Sequence, residues 1–556
     1  MKWRILNQIK TENPQERRKE IVTALFKNRG LNTIKEQGAF FHPQDPGLLT
    51  PQEVGISSVQ LTKAVKRIKK AMKNKEKVIV YGDYDTDGVC ATAIMWETLN
   101  QFGLEVLPYI PQREEGYGLR VEAIDRMAKE GVKLIVTVDQ GIVHARQVAH
   151  AKKLGIEVIV TDHHEAGQKK PKAVAVIHTI ALAGAGVSWY LASWLTKKIK
   201  SPIKPLGLDL VTIGTITDMV PLVGPNRSIV KFGLRAVQKT KRPGLLSLYQ
   251  FAGLNQEKIG TYEVGFIIGP RINASGRMDD PMEALRLICT SDENRAIGLA
   301  QKIDQKNRER QELMKQTSLH ARDLWLKEDG QSALIFVYHQ SYEHGVVGLV
   351  ANKLKDEFYR PAVVLAPRQD YWVASARSIE GFSIVEAIRE LKGIIGEHGG
   401  HRKAAGFSVR PENLAEVKQR LIEKATKSLA RTQLTPKLEI EIEVALTDLN
   451  PTFYQELEKF APFGMANPEP IFASRQVKVT NLKRVGGDNQ HLKLKVNGFN
   501  AIAFGQGELL PDLSLTKSVA IAFNLTLNQW KSQKQLELRI KDIKLKDEIE
   551  KISSES

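Results

Sequence analysis

Four stretches of this chain place hard-metal ligands where an apolar run gives out. Tyr81-Gly82-Asp83-Tyr84-Asp85-Thr86-Asp87-Gly88 follows Val78-Ile79-Val80, and Asp139 follows the run 134–138. Asp162-His163-His164 follows Val158-Ile159-Val160-Thr161, and Asp218 lies within the run 214–222. Carboxylates and imidazoles without thiolates suit Mn2+ or Mg2+ better than structural zinc. A pair of such ions is suited to attack on phosphate esters. Aspartates at alternate positions 83, 85 and 87 would repel one another in a low-dielectric cleft unless cations compensate. Taken alone, the three could instead form a solvated turn that caps a helix starting near Val89. Asp139, His163 and Asp218 weigh against that. His163 and His164 could be core histidines, but a pair directly after an acidic strand end favours metal binding or proton transfer. The remaining polar signals are basic: Pro270 to Arg277, Ser375-Ala376-Arg377-Ser378, and the glycine-rich Gly399 to Gly406 with His401. Arginine forks and serine hydroxyls match phosphate oxygens, although surface ion pairs account for isolated arginines equally well.

The elements that must position these groups follow from hydrophobic pattern. Strands are expected at 78–82, 104–110, 133–138, 157–161 and 173–177, alternating with helices near 87–101, 120–130, 141–154 and 186–198. Short β-branched strands buried on both faces and separated by helices imply a parallel sheet. Ligands of such sheets collect beyond the carboxyl ends of the strands, where the acids lie. One long helix is expected over 291–327, with an entirely polar stretch from Asp304 to Glu312. Such a polar middle fits a solvated strut between two domains. A second α/β unit has strands at 333–338, 361–366 and 371–376 and helices at 345–357 and 383–394, and ends in the loop Gly399 to Gly406. Beyond about residue 432 the pattern becomes five or six short strands, which suggests a small barrel.

A chain of 556 residues implies roughly three or four domains. With 42% hydrophobic and 26% charged residues it has the composition of a soluble globular protein. The net charge of +18 and pI near 9.5 point to a polyanionic partner. Residues 1–77 hold 17 Lys+Arg against 7 Asp+Glu. That segment reads equally as lysine-faced amphipathic helices or as a nucleic-acid contact. Cys90 and Cys289, the only cysteines, exclude a disulfide framework and fit a reducing compartment. The N-terminal residues lack the apolar core of a secretory signal. The uncharged stretch 173–195 is interrupted at His178-Thr179 and Gly184-Ala185-Gly186, so a buried strand, a turn and a core helix explain it better than a membrane span.

As an ordered set, these motifs resemble the RecJ-type single-strand-specific exonucleases of the DHH phosphoesterase superfamily. The similarity covers about residues 50 to 545 and also takes in Ile110 to Leu119 and Phe463-Gly464-Met465-Ala466-Asn467-Pro468-Glu469-Pro470. The resemblance implies a multidomain α/β architecture. Its parts are a basic N-terminal segment (1–48), a parallel-sheet DHH catalytic domain (49–290), a bridging helix (291–327), an α/β DHH-associated domain (328–431), a C-terminal OB-fold barrel (432–546) and a tail (547–556). It implies a two-metal phosphodiesterase that uses Mn2+ or Mg2+ to cut single-stranded DNA from the 5′ end, releasing 5′-mononucleotides in DNA repair and recombination. Carried over, Asp85, Asp87, Asp139, His163 and Asp218 are metal ligands, and His164 and Asp83 take catalytic roles. Arg277, Ser375, Arg377 and His401 grip a substrate phosphate, with Arg113, Arg271, Asn273, Gly399 and Gly400 as candidate DNA contacts. Phe463, Phe504 and Trp530 are candidate base platforms in the barrel, although each is more readily read as barrel core. The implied partners are single-stranded DNA with a free 5′ end, a single-strand-binding protein and a helicase, for a cytoplasmic monomer without a membrane. Three departures stand out: Gln140 replaces a frequent cysteine, the segment between Leu49 and Val59 is shorter than usual, and Ile177-His178-Thr179 lacks the usual Asn-Pro. A phosphodiesterase for short oligonucleotides or cyclic dinucleotides is disfavoured by chain length and the barrel, and a silent DNA-binding scaffold by the complete ligand set.

Overall fold

The computed structural model describes residues 1–116, 118–199, 207–429, 434–516, 518–530 and 533–545. Tyr117, the expected boundary near 431–432 and the tail 547–556 lie outside the described residues. The chain forms two compact units, one of residues 55–218 and 235–436, the other of residues 1–54, 219–234 and the chain from Lys437 on.

The first unit contains an all-parallel sheet in the order Val106–Tyr109, Val78–Tyr81, Leu134–Val138, Glu157–Asp162, Ala175–His178. Its central strands are buried throughout, as their uninterrupted β-branched composition requires. Helices Thr86–Gln101 and Gly184–Ile199 cover it and are themselves almost wholly buried. The uncharged stretch is therefore strand plus core helix, and among the described residues no helix is long and apolar enough to cross a membrane.

The long helix runs from Glu293 to Glu328, with the Asp292 carboxylate accepting from Arg295 N at its start. Its polar middle is solvated on one side only, where the expectation was a strut solvated all round. Asp304, Asn307 and Arg310 are buried. Asp304 accepts from Arg271 Nε at 2.9 Å, and Arg310 donates to Asn307 Oδ1. Pairing holds in the interior groups that hydrophobic patterning reads as solvent-facing, although Asn307 Nδ2 and Arg310 Nε stay without a hydrogen-bond partner.

The second sheet of this unit has the order His398–His401, Ala404–Val409, Tyr371–Arg377, Ala362–Arg368, Ile335–Tyr338, parallel only between the last two. The expected loop Gly399 to Gly406 is thus two antiparallel strands. Four consecutive exposed residues, His398–His401, carry no apolar alternation, so pattern alone reads them as loop. Helix Ile384–Arg389 is shorter than expected, and Leu414–Ser428 completes the layer.

The other unit is a seven-stranded barrel-like sheet from Ile442–Glu443 to Gln533–Lys544, filled by Phe453, Phe472, Leu492 and Phe523. The basic N-terminal segment is built into it. Strand Lys2–Ile5 pairs in parallel with Lys437–Ile440. Helices Pro14–Asn28 and Ile34–Phe41 bury Ile21, Leu25, Phe26 and Phe40 in the same core. Asn467 of the Phe463 to Pro470 motif is fully buried, donating to Phe460 O and Pro462 O and accepting from Arg29 Nε at 2.7 Å. Arg227 donates to five carbonyls, those of Phe40, Lys459, Phe460, Ala461 and Pro462. This motif is accordingly a clasp. Phe463 is half-buried against the core, Phe504 is 54% exposed rather than core, and the Trp530 side chain lies outside the described residues.

Candidate metal centre and nucleic-acid cleft

The acids reach one place because four strand or helix ends converge in the first unit. Asp85 caps helix Thr86–Gln101, accepting from Gly88 N at 2.9 Å. A Cβ at Gly88 would come within 2.6 Å of Asp83 O, so the loop closes only around glycine. Asp87 accepts from Gly184 N at 2.7 Å and Ala185 N at 3.0 Å, the first turn of helix Gly184–Ile199, where backbone donors favour an anion. Asp139 leaves its strand at φ 60°, a left-handed conformation strained for a non-glycine residue. Gly184 and Gly214 make room beside it, since Cβ atoms there would collide with Asp139 Oδ1 and Asp87 Oδ1. Asp218 ends helix Leu208–Thr217.

His163 Nε2 lies 3.1 Å from Asp139 Oδ1 and 3.6 Å from Asp218 Oδ2. Three sets of donor atoms, Asp87/His163/Asp218, Asp139/His163/His164 and Asp83/Asp85/Asp139, each fall within 4.8 Å of one another. Asp83 Oδ1, Asp139 Oδ1, His163 Nε2 and Asp218 Oδ2 are buried without a hydrogen-bond partner. Each such atom costs about 1–3 kcal/mol, and four at one point mark a place for cations. Oxygen and imidazole donors in this arrangement fit Mn2+ or Mg2+.

The electrostatics agree. Burial, with Asp85 next, pushes Asp83 up to about 8 and Asp87 up to about 7. Burial, with Asp87 next, pushes Asp218 up to about 9 and raises Asp139 far above the usual carboxylate range. Burial, then the His164 charge, lowers His163 to about 4, so its imidazole is neutral and able to ligate. Burial alone would lower His164, but the hydrogen bond and charge of Asp162 outweigh it and raise the ring.

Asp162, read from the sequence as one of the acids at the strand ends, is given no role of its own there. Its carboxylate accepts from Ile142 N, His163 N and His164 N, and pairs with His164 Nδ1 at 2.8 Å. It therefore orients the histidines. The only signal was its place before them. His178 Nε2, opposite Asp162 on the neighbouring strand, bonds His164 O at 2.7 Å. No sequence pattern announced that.

Asp83, Asp85, His164, Arg113, Asn273, Arg277 and His401 line a cavity of about 370 Å³. It shares Tyr84, Arg113, Gly276 and Arg277 with a cleft of about 1040 Å³ that takes in Ser375, Arg377 and His344, the last also missed. Arg113 lies 4.8 Å over the Tyr84 ring and donates to Gly276 O. Burial, then Arg113, lowers Arg277 to about 10, and burial lowers Arg377. Arg377 Nη1 donates to Ser375 Oγ at 3.1 Å. Among the described residues neither Arg277 nor Arg377 is ion-paired, an arrangement suited to a phosphate. Asn273 both lines the cavity and accepts from Thr86 N at 2.8 Å. Arg271 is engaged with Asp304, and Gly399 and Gly400 are exposed in the hairpin that carries His401.

Family models match in chain order: "DHH family, N-terminal domain" over residues 77–215, "DHHA1 domain" over 330–427 and "RecJ OB domain" over 440–542. The single-stranded-DNA-specific exonuclease RecJ of Bacillus subtilis (strain 168) is 33% identical, over 98% of this chain and 70% of its own length. That of Escherichia coli (strain K12) is 31% identical, over 94% and 95%. The crystal structure of RecJ in complex with Mn2+ from Thermus thermophilus superposes with a TM-score of 0.83 at 28% identity, covering 98% of this chain and 79% of that one. The corresponding Mg2+ complex gives 0.77 at 27% identity. With three domains in register and a third of its residues shared along almost its whole length, the chain belongs to the RecJ family of single-stranded-DNA-specific exonucleases.

Proposed function

We propose that this chain is a Mn2+- or Mg2+-dependent exonuclease that hydrolyses single-stranded DNA from a free 5′ end, releasing 5′-mononucleotides in DNA repair and recombination. Asp85, Asp87, Asp139, His163 and Asp218 would hold two ions. Bound there, the ions lower the pKa of water and neutralise charge building on phosphorus. The observation that supports this assignment is the set of four buried donor atoms without hydrogen-bond partners, on residues that three overlapping donor sets draw together. Asp87, held by two backbone donors, and Asp139, fixed by its strained backbone, keep the donors in place. Asp83 stands beside them, in the donor set with Asp85 and Asp139, where its carboxylate can take the proton of the attacking water. Asp162 pins the His164 ring through Nδ1, which leaves Nε2 as the atom that delivers a proton to the 3′-oxygen leaving group. Arg277, Ser375 and Arg377 grip the 5′-terminal phosphate, with His401 closing over it and Arg113 beside it. In this reading the enzyme acts as a cytoplasmic monomer alongside single-strand-binding protein and a helicase. Asp139→Asn tests the assignment: circular dichroism and strand binding should be retained while hydrolysis is lost at saturating Mn2+. Activity that survives would refute it.

A further inference from the structure

Most of the basic surplus of residues 1–77 sits on one helix of the unit that holds the acids. Residues 58–77 carry eight Lys+Arg against Glu76 alone, and no aromatic residue. Helix Ser58–Asn74 buries Leu61, Ala64, Val65, Ile68 and Ala71 and turns Lys63, Lys66, Lys69, Lys70 and Lys73 to solvent. Lys63, Lys66, Lys70 and Lys73, spaced three, four and three residues apart, form one stripe about 15 Å long. Arg67, buried beneath it, donates to Lys133 O and pairs with Glu157 at 2.6 Å, where strands Leu134–Val138 and Glu157–Asp162 begin. The stripe therefore leads to the amino ends of the strands, the opposite edge of the sheet from Asp83, Asp139 and His163. Lys129, Lys133, Lys152 and Lys153 are exposed on the connections that enter the same edge. Local effects do not account for this face. Cations complement the last turn of a helix, which covers Lys73 but not Lys63 or Lys66. A face that serves only solubility mixes signs, and like charges three or four residues apart destabilise the helix that bears them. Among the described residues Lys63, Lys66 and Lys73 have no ion pair, and Lys70 lies 3.5 Å from a Glu157 carboxylate that Arg67 already holds. A polyanion supplies the missing charge. Grooves for single strands add aromatic platforms, which this helix lacks, and membrane-surface helices need a free apolar side, which here is buried in the fold. A duplex asks for neither, since its bases stack on one another and its backbone carries one charge per about 1.7 Å of axis.

We infer that helix Ser58–Asn74 is a docking face for the backbone of duplex DNA, by which the enzyme holds the double-stranded flank of its substrate away from the catalytic cleft. The inference goes beyond the exonuclease reading and is tested without hydrolysis. Binding of the full-length protein to a blunt duplex of about 30 base pairs is followed by fluorescence anisotropy, in chelator, between about 50 and 200 mM salt. Lys63→Gln/Lys66→Gln/Lys70→Gln/Lys73→Gln should weaken binding at least about tenfold and make the slope of log affinity against log salt shallower by about 3. Arginine at the same four positions should keep the wild-type slope. Both variants should retain the wild-type circular dichroism, and the wild-type kcat and KM on a 5′-phosphorylated single strand of about 12 nucleotides, too short to carry a duplex. Neutralising Lys353, Lys392, Lys424 and Lys427, which lie outside this face, should change the slope by less than about 1. A slope that the glutamine variant shares with the wild type, or that the second set loses equally, overturns the docking face. So does binding to phosphatidylserine vesicles that depends on the four lysines while duplex binding does not, which would give the stripe to a membrane surface. A protein that grips the duplex through this helix yet cleaves no 5′ end sinks the exonuclease reading and leaves the face standing.

Discussion

At the residue scale, the buried acids set the pH response before any substrate arrives. Asp83, Asp87 and Asp218 rise to about 8, 7 and 9, above their unfolded values. Carboxylates raised in this way destabilise the metal-free fold progressively as pH climbs towards those values, because the unfolded chain ionises first. His164, raised by Asp162, acts with the same sign as pH climbs through its folded value. His163, lowered to about 4, acts oppositely, but only below about pH 6.5. Between pH 6.5 and 9 the melting temperature in chelator should therefore fall as pH rises, while the increment produced by Mn2+ grows. Calorimetry with and without the ion measures both, and an increment independent of pH would remove these residues as ligands. Arg377→Ala should reduce the kcat/KM advantage of a 5′-phosphate over a 5′-hydroxyl by about 10- to 150-fold, the value of a charge-assisted hydrogen bond. Paired oligonucleotides differing only at that end give the ratio directly.

Among the elements, the parallel sheet could be read from the chain because each strand is a short β-branched run buried on both faces and the next run lies one helix away. Asp83, Asp85, Asp87, Asp139 and His163 inherit their convergence from that arrangement. Asp162 and His178 could not be assigned, since their work is done by hydrogen bonds between neighbouring strand ends that leave no periodicity. The polar stretch of the long helix misleads for a related reason: an ion pair with Arg271 makes Asp304 a core residue. Asp304→Ala should cost about 3–5 kcal/mol by stranding Arg271, measured by denaturant unfolding. A loss below about 1 kcal/mol would return that helix to the status of a solvated strut. Gly184→Ala places a methyl group against the Asp139 carboxylate. Mn2+ affinity should fall at least about tenfold by titration calorimetry, with the helix retained by circular dichroism.

On the scale of the whole molecule, the barrel unit is assembled from segments far apart in the chain. Arg29 pairs with Glu441, and Phe26 lies 5.0 Å from Phe460. No local pattern forecasts such contacts, which is why the basic surplus of the N-terminal segment read equally as lysine-faced helices or as a nucleic-acid contact. Deleting residues 1–48 should expose Phe460 and abolish cooperative melting of the barrel, not merely weaken strand binding. A deletion variant with an unchanged barrel transition would restore the reading of this segment as a nucleic-acid contact.

That assembly bears on the order in which the chain leaves the ribosome. Helices Pro14–Asn28 and Ile34–Phe41 are translated more than four hundred residues before Phe460 and Phe472, the rings that shelter them. At about 5–20 residues per second their greasy faces wait about 20–90 s for cover. During that interval the nascent polypeptide depends on chaperones, or on transient shielding of Ile21, Leu25 and Phe26, to escape aggregation.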